Sequence, residues 1–230
     1  MADDENDLVF KQLNQDNVND QMDPVEPIKP SDFSNASLFS LTYYKQFFNI
    51  ESSDVLSRIV SAMNPTDKKF LSNINRPDLF GPIWISFSCS FFSTLFGNIA
   101  SWSEKGKDWN FNFSSFLMSS MMCFAFAFII PVAYKSWLSK VTSPGIISLI
   151  CLYGYSLILI VPVSFLSLFV GPKADWMVSI TGGSIAGYSL FSKLSNWFLD
   201  PSENKKAFIP NLVSGIVLGF VYFLVQVLAH

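Results

Sequence analysis

Polar and apolar positions are distributed unevenly along this chain. From Leu79 onward, long stretches carry no charge: 25 residues from Leu79 to Ser103, 26 from Trp109 to Tyr134, 32 from Val141 to Pro172, 17 from Trp176 to Ser192 and 24 from Ala207 to His230. A helix needs about 20 apolar residues to cross roughly 30 Å of hydrocarbon, so four of these runs are long enough to span a bilayer. The 32-residue run is too short for two crossings and predicts one helix with an interfacial tail ending at Gly171-Pro172. The 17-residue run crosses if Lys193 snorkels and the helix continues through Trp197 and Phe198. Five spans are therefore predicted, at 83–102, 114–134, 145–166, 176–198 and 208–228.

The region before the first span has a different pattern. Residues 1–37 hold nine acidic side chains against Lys11 and Lys29, few large apolar residues, and prolines at 24, 27 and 30. Such a segment buries too little surface to offset its chain entropy, which predicts a disordered tail. Residues 38–78 are amphipathic. Leu41, Tyr44 and Phe48 share one helical face with Tyr43 and Phe47 beside it, and a second helix is expected from Asp54 to Met63. Ser52 or Ser53 is its expected cap, Val55, Leu56, Ile59, Val60 and Met63 its apolar stripe, and Asn64-Pro65 its stop. These elements need a surface: the membrane interface, the ends of the spans, or a partner protein. At the junction, Asp78 is the last charge before the lipid, and Pro82 sits at a helix start, where its missing N–H costs nothing. Gly81 and Pro82 are expected to fix how the chain enters the first span, and Asp78 to cap that helix or contact a partner.

Composition sharpens this into an all-α integral membrane protein, a five-helix bundle with a largely disordered cytosolic tail. The chain is 50% hydrophobic and 14% charged, with 24 Phe, beyond the range of an ordinary soluble domain. It has no concentrated basic face, which excludes nucleic acid as a partner. Cys89, Cys123 and Cys151 fall in separate apolar runs and read as packing residues rather than a disulfide or zinc pattern. Met1 to Glu5 show no basic and apolar signal character, so the spans themselves are expected to direct insertion. With a cytosolic N-terminus, Lys68, Lys69, Arg76, Lys135, Lys140, Lys193, Lys205 and Lys206 lie on the cytosolic side, against Lys105, Lys107 and Lys173 opposite. The positive-inside rule favours that orientation and a lumenal C-terminus. The sequons at Asn35 and Asn112 do not decide it, the first being cytosolic and the second close against a span.

No ionisable side chain lies in the middle of a predicted span, which argues against a pump or an ion-coupled carrier. No catalytic, cofactor or metal site is expected: the one histidine is the last residue, and Ser184 in Gly182-Gly183-Ser184 has no base to activate it. Small residues at helical spacing are prominent instead. Ser86, Ser90, Thr94 and Asn98 recur in the first span, Ser179, Gly183 and Gly187 in the fourth, and Asn211, Gly215 and Gly219 in the fifth. Such stripes let helices approach closely, within one bundle or between two chains. Lined with Ser, Thr, Asn and Gly, they also leave open a channel or carrier for a neutral solute or lipid. Pro131 and Pro162 are expected near span ends, and Tyr153-Gly154-Tyr155-Ser156 places two phenols where they need partners.

Three stretches carry a resemblance to the YIP family, the five-span proteins of the Golgi and early secretory pathway that interact with Rab/Ypt GTPases. Asp78-Leu79-Phe80-Gly81-Pro82 resembles that family's D-L-Y-G-P motif, with Phe80 in place of tyrosine, and Gly97-Asn98 follows as in Golgi-type members. Tyr153-Gly154-Tyr155-Ser156-Leu157 resembles its Y-G-Y-S-L motif. Tyr43 to Phe48, with Val55-Leu56-Ser57-Arg58-Ile59, is similar to its pre-membrane segment. The resemblance implies a protein without enzymatic chemistry that binds Rab-type GTPases and other YIP-family subunits in Golgi, and also ER or endosomal, membranes and supports vesicle transport. It also implies that the motif residues are the candidates for partner binding.

Overall fold

In lipid, every backbone polar group must find its partner within the protein, and the apolar runs meet that demand as long helices. The computed structural model describes residues 48, 50–64, 77–111, 113–138, 145–170, 175–198 and 201–229. Helix α1 is Ser52–Met63 and α2 is Phe80–Lys105, which runs into a 3-10 turn at Gly106–Asp108. Helix α3, Phe113–Phe124, continues through a π-helical stretch, Ala125–Ile129, into α4, Ile130–Trp137. Helix α5, Ile146–Ser156, continues through a 3-10 turn, Leu157–Leu159, into α6, Ile160–Val170. Helices α7, Asp175–Trp197, and α8, Pro201–Ala229, complete the chain. No strand occurs among the described residues, and the fold is all-α.

Four stretches are long and apolar enough to cross a membrane: Phe80–Asp108, Phe113–Trp137, Ile146–Val170 and Glu203–Leu228. Helix α7 has the length, at 23 residues, but not the hydropathy. Thr181, Gly182, Gly183, Ser184, Gly187, Ser189, Ser192 and Lys193 dilute its apolar content. Outward-facing Trp84, Phe87, Phe91, Leu95, Ile99 and Trp102 form an exposed apolar wall on α2 that only lipid or another apolar surface makes favourable. Trp84 and Trp102 lie about 27 Å apart along the helix, near the thickness of the hydrocarbon layer.

Two irregularities trace to proline, which lacks an N–H and crowds the carbonyl four residues back. For Pro131 that carbonyl belongs to Ala127, inside the π-helical stretch; for Pro162 it belongs to Ile158, inside the 3-10 turn. Pro162 lies mid-span rather than near an end. The third predicted span does not stop near residue 166 with a tail, because Leu166–Val170 is apolar and stays helical. Helix α1 begins at Ser52 rather than Asp54, with Glu51 at the cap position and no capping side-chain bond; Ser53 Oγ donates to Glu51 instead, at 3.4 Å. Residues 1–37, most of the aromatic run before Ile50, Gly171-Pro172 and both sequon asparagines lie outside the described residues.

The small-residue stripes of α7 and α8 face each other within the chain. A Cβ on Gly183 would stand 2.8 Å from the Gly219 carbonyl oxygen, and one on Gly215 2.7 Å from that of Gly187. The pairing is antiparallel, with backbones close enough that no side chain fits between them. Ser179 is buried on the same stripe and bonds the Asp175 carbonyl at 2.9 Å. On α2, Ser86, Ser90, Thr94 and Asn98 all face inward. Ser90 accepts from Ser120 of α3 at 3.0 Å, and Asn98 Nδ2 donates to the Thr94 carbonyl at 2.8 Å.

Candidate functional site

The start of α2 is built around one buried carboxylate. Asp78 stands just before the helix and is 2% exposed. Its Oδ2 accepts the Gly81 backbone N–H at 2.7 Å, satisfying one of the amide groups that a helix leaves unpaired at its first turn. The neighbouring amides include Pro82, which has none to satisfy. The same carboxylate pairs with the guanidinium of Arg58, itself 5% exposed, on α1. Tyr155 donates its phenol to Oδ2 at 3.3 Å, and the Cys151 thiol donates to Oδ1 at 3.3 Å. A charge this deeply buried is tolerated only when paired and fully hydrogen-bonded.

The two candidate motifs occupy each other's gaps. A Cβ on Gly81 would fall on the ring tip of Tyr155, and a Cβ on Gly154 would stand 2.6 Å from Pro82 Cα. Each motif's glycine is the seat for the other motif's ring, which explains why both glycines are needed without appeal to special backbone angles. Leu79 and Phe80 are half-buried beside this contact, and the Phe80 ring lies 6.0 Å from that of Trp84. No hydroxyl is needed at position 80 for these contacts.

The other motif residues face the remaining helices. Tyr153 donates to Ser214 of α8 at 2.7 Å and packs on Phe126 and Tyr134. Tyr134 donates in turn to Asn211 Oδ1 at 2.6 Å, and Asn211 reaches Ser195 of α7 at 3.3 Å. Ser156 Oγ donates to the Leu152 carbonyl at 2.7 Å, while its own carbonyl accepts from Tyr222 at 3.2 Å. The sequence-predicted residues thus fall into two groups: Asp78 to Pro82 with Gly154 and Tyr155 at the junction, and Tyr153 and Ser156 with the α8 stripe in the interior.

Three polar residues of this framework were not singled out as site residues from sequence. Arg58 entered only within the stretch that resembles the pre-membrane segment, with no role of its own. Lys193, expected to snorkel, instead turns inward at 2% exposure and donates to the Ala62 carbonyl of α1 at 2.6 Å and to Ser189 Oγ at 3.0 Å. The bond to Ala62 caps the carbonyl end of α1, which has no basic residue of its own in its last turn. Gln226 accepts from Ser93 at 3.2 Å and Ser164 at 2.9 Å, and donates to Ser167 at 3.1 Å, tying α8 to α2 and α6. The available signal was a polar side chain amid apolar neighbours in each case. Among the described residues, no cluster of three or more His, Cys, Asp or Glu side chains forms that would hold a metal, and all three cysteines are free and buried.

No protein-family model and no solved structure matches the chain. Among curated proteins, the chain is 22% identical over 194 residues to "Protein YIPF1 homolog" of Dictyostelium discoideum, covering 82% of this chain and 55% of that protein. It is 29% identical over 124 residues to "Protein YIP5" of Schizosaccharomyces pombe, covering 52% of this chain and 50% of that protein. Both relatives support membership of the YIP family. The chain spans about half the length of the curated relatives it matches. The D-L-F-G-P and Y-G-Y-S stretches of this chain are in direct contact. Neither relative's name describes an enzyme.

Proposed function

We propose that this YIP-type protein is a non-enzymatic scaffold of Golgi and early secretory membranes, which binds Rab-type GTPases and related YIP-family subunits and so supports vesicle transport and Golgi organisation. The observation that carries the reading is the relationship to YIPF1 homolog and YIP5, with the junction motif present at Asp78 to Pro82. The charge distribution supports a cytosolic N-terminus, which puts residues 1–78 where a GTPase is reachable. A fifth crossing by α7 is supported by its antiparallel seam with α8, a helix long and apolar enough to span.

In this reading, the motif residues shape the junction rather than touch the partner. Asp78, Gly81, Gly154 and Tyr155 are spent on one another and, through Arg58, hold α1 on the bundle. Co-purification from native membranes under mild detergent tests the proposal. The expected result is recovery of a small GTPase and at least one related subunit, with recovery lost on deleting residues 1–47. Recovery of neither, together with normal secretory traffic in cells lacking the protein, would refute it. Solute or lipid flux through the reconstituted chain alone would favour a channel or carrier instead.

A further inference from the structure

Helix α1 turns an unexpected side to the bundle. At about 100° per residue, its inward arc holds Arg58, Ser61 and Ala62, with Val55 and Ile59 half-buried at one edge. Leu56, Val60 and Met63 fall within about 60° of one another and face away from the bundle. They are 62%, 62% and 40% exposed. Asp54 and Ser57 form a separate, polar exposed face, with Ser53 between it and the apolar row. The predicted stripe is therefore split: half of it packs on protein, and the other half is exposed and has no partner among the described residues.

The level of α1 says what covers that half. The helix is fixed by Arg58 to Asp78, two residues before α2 begins, and by the Lys193 bond to Ala62, four residues before α7 ends. It also packs along α5 and the 3-10 turn Leu157–Leu159. Helix α1 thus fills a notch beside a continuously apolar span instead of resting on its tip. Both anchors lie within about a turn of a helix end, at the edge of the bundle, and an exposed apolar row on an amphipathic helix at that level lies at the boundary between headgroups and acyl chains.

We infer that α1 is an interfacial membrane helix whose Leu56–Val60–Met63 row is embedded in lipid, and that the lipid needs no negative charge. The exposed charges of α1 are Glu51 and Asp54, both at its N-terminal end, while its one basic residue is consumed by Asp78. Nothing on its outer surface attracts anionic headgroups, so apolar burial alone holds the row in place. The polar face, with Asp54 and Ser57, points to water.

The test uses the full chain reconstituted in phosphatidylcholine vesicles with single substitutions Leu56→Cys, Val60→Cys, Asp54→Cys and Ser57→Cys, each labelled with a polarity-sensitive fluorophore. The native cysteines are buried and stay unlabelled without denaturant. At Leu56→Cys and Val60→Cys, a doxyl quencher on the lipid chain should quench several-fold more than aqueous iodide, with the reverse order at Asp54→Cys and Ser57→Cys. The pattern should persist when anionic lipid is added. Iodide quenching equal at all four positions would overturn the inference and mark the row as a water-facing site for a soluble protein. Protection of Leu56→Cys and Val60→Cys from both quenchers would overturn it in favour of a second copy or another segment of the chain.

Discussion

Replacing Gly154 with alanine adds a single methyl group and tests the interlock of the two motifs. The new Cβ would lie 2.5 Å from Pro82 Cβ and 2.6 Å from Pro82 Cα. Ordinary carbon contacts need about 3.5–4.0 Å, so α2 and α5 must part by roughly 1 Å. Pro82 Cα is backbone in the first turn of α2 and has no rotamer through which to yield. Overpacking of this kind costs about 1–3 kcal/mol, against a helix-propensity gain of about 1 kcal/mol for alanine over glycine. The same separation lengthens the 3.3 Å bond from Tyr155 to Asp78 past useful range. Gly81→Ala is the reciprocal test: its Cβ would fall on the ring tip of Tyr155, which is fully buried. Displacing that ring also removes the phenol's bond to the buried carboxylate, worth about 1.5–3 kcal/mol for a charged acceptor. Thermal unfolding in mild detergent should therefore rank the native chain above both Gly81→Ala and Gly154→Ala. A Gly154→Ala protein as stable as the native chain, or more so, would refute the interlock.

Other contacts give further expectations. Gly187→Ala places a methyl against the Gly215 carbonyl oxygen at 2.5 Å, whereas on Gly219 the nearest atom is 3.3 Å away; the first should lower the unfolding temperature clearly and the second little, by the same assay. Lys193→Met keeps the aliphatic stem but removes the donor to Ala62, and a buried carbonyl left unpaired costs about 1–3 kcal/mol, so hydrogen exchange in α1 should speed up about tenfold or more. Gln226→Leu removes three interhelical bonds at about 0.6 kcal/mol each, and a loss near 2 kcal/mol in denaturant unfolding is expected.

Much of this architecture is legible in the sequence because it depends on local pattern. Charge-free runs marked the long helices, the Asp-x-x-Gly-Pro order marked a helix start, and the spacing of Gly183, Gly187, Gly215 and Gly219 marked positions for close approach. The less legible parts depend on what a side chain meets across the fold. Arg58 and Lys193 look like surface cations until a carboxylate and a helix end are brought to them, since burial is tolerable only with those partners. The orientation of α1 was hidden for the same reason: the Arg58 pair rotates the helix and leaves half its apolar stripe outside. The hydropathy of α7 was spent on small residues, which serve its contact with α8 at the expense of a clear span signal.

The central claim is that Arg58 and Asp78 join α1 to the bundle as one buried unit, and a double-mutant cycle tests it most directly. Arg58→Met, Asp78→Asn and the double variant are compared by hydrogen exchange of α1 in detergent-solubilised full-length protein. Removing one partner strands a buried charge or leaves its site unfilled, and breaking such a pair costs about 3–5 kcal/mol. Each single change should release α1, and the double variant should lose far less than their sum, with a coupling of about 2 kcal/mol or more. Additive losses, or singles that leave α1 as protected as in the native chain, would contradict the account.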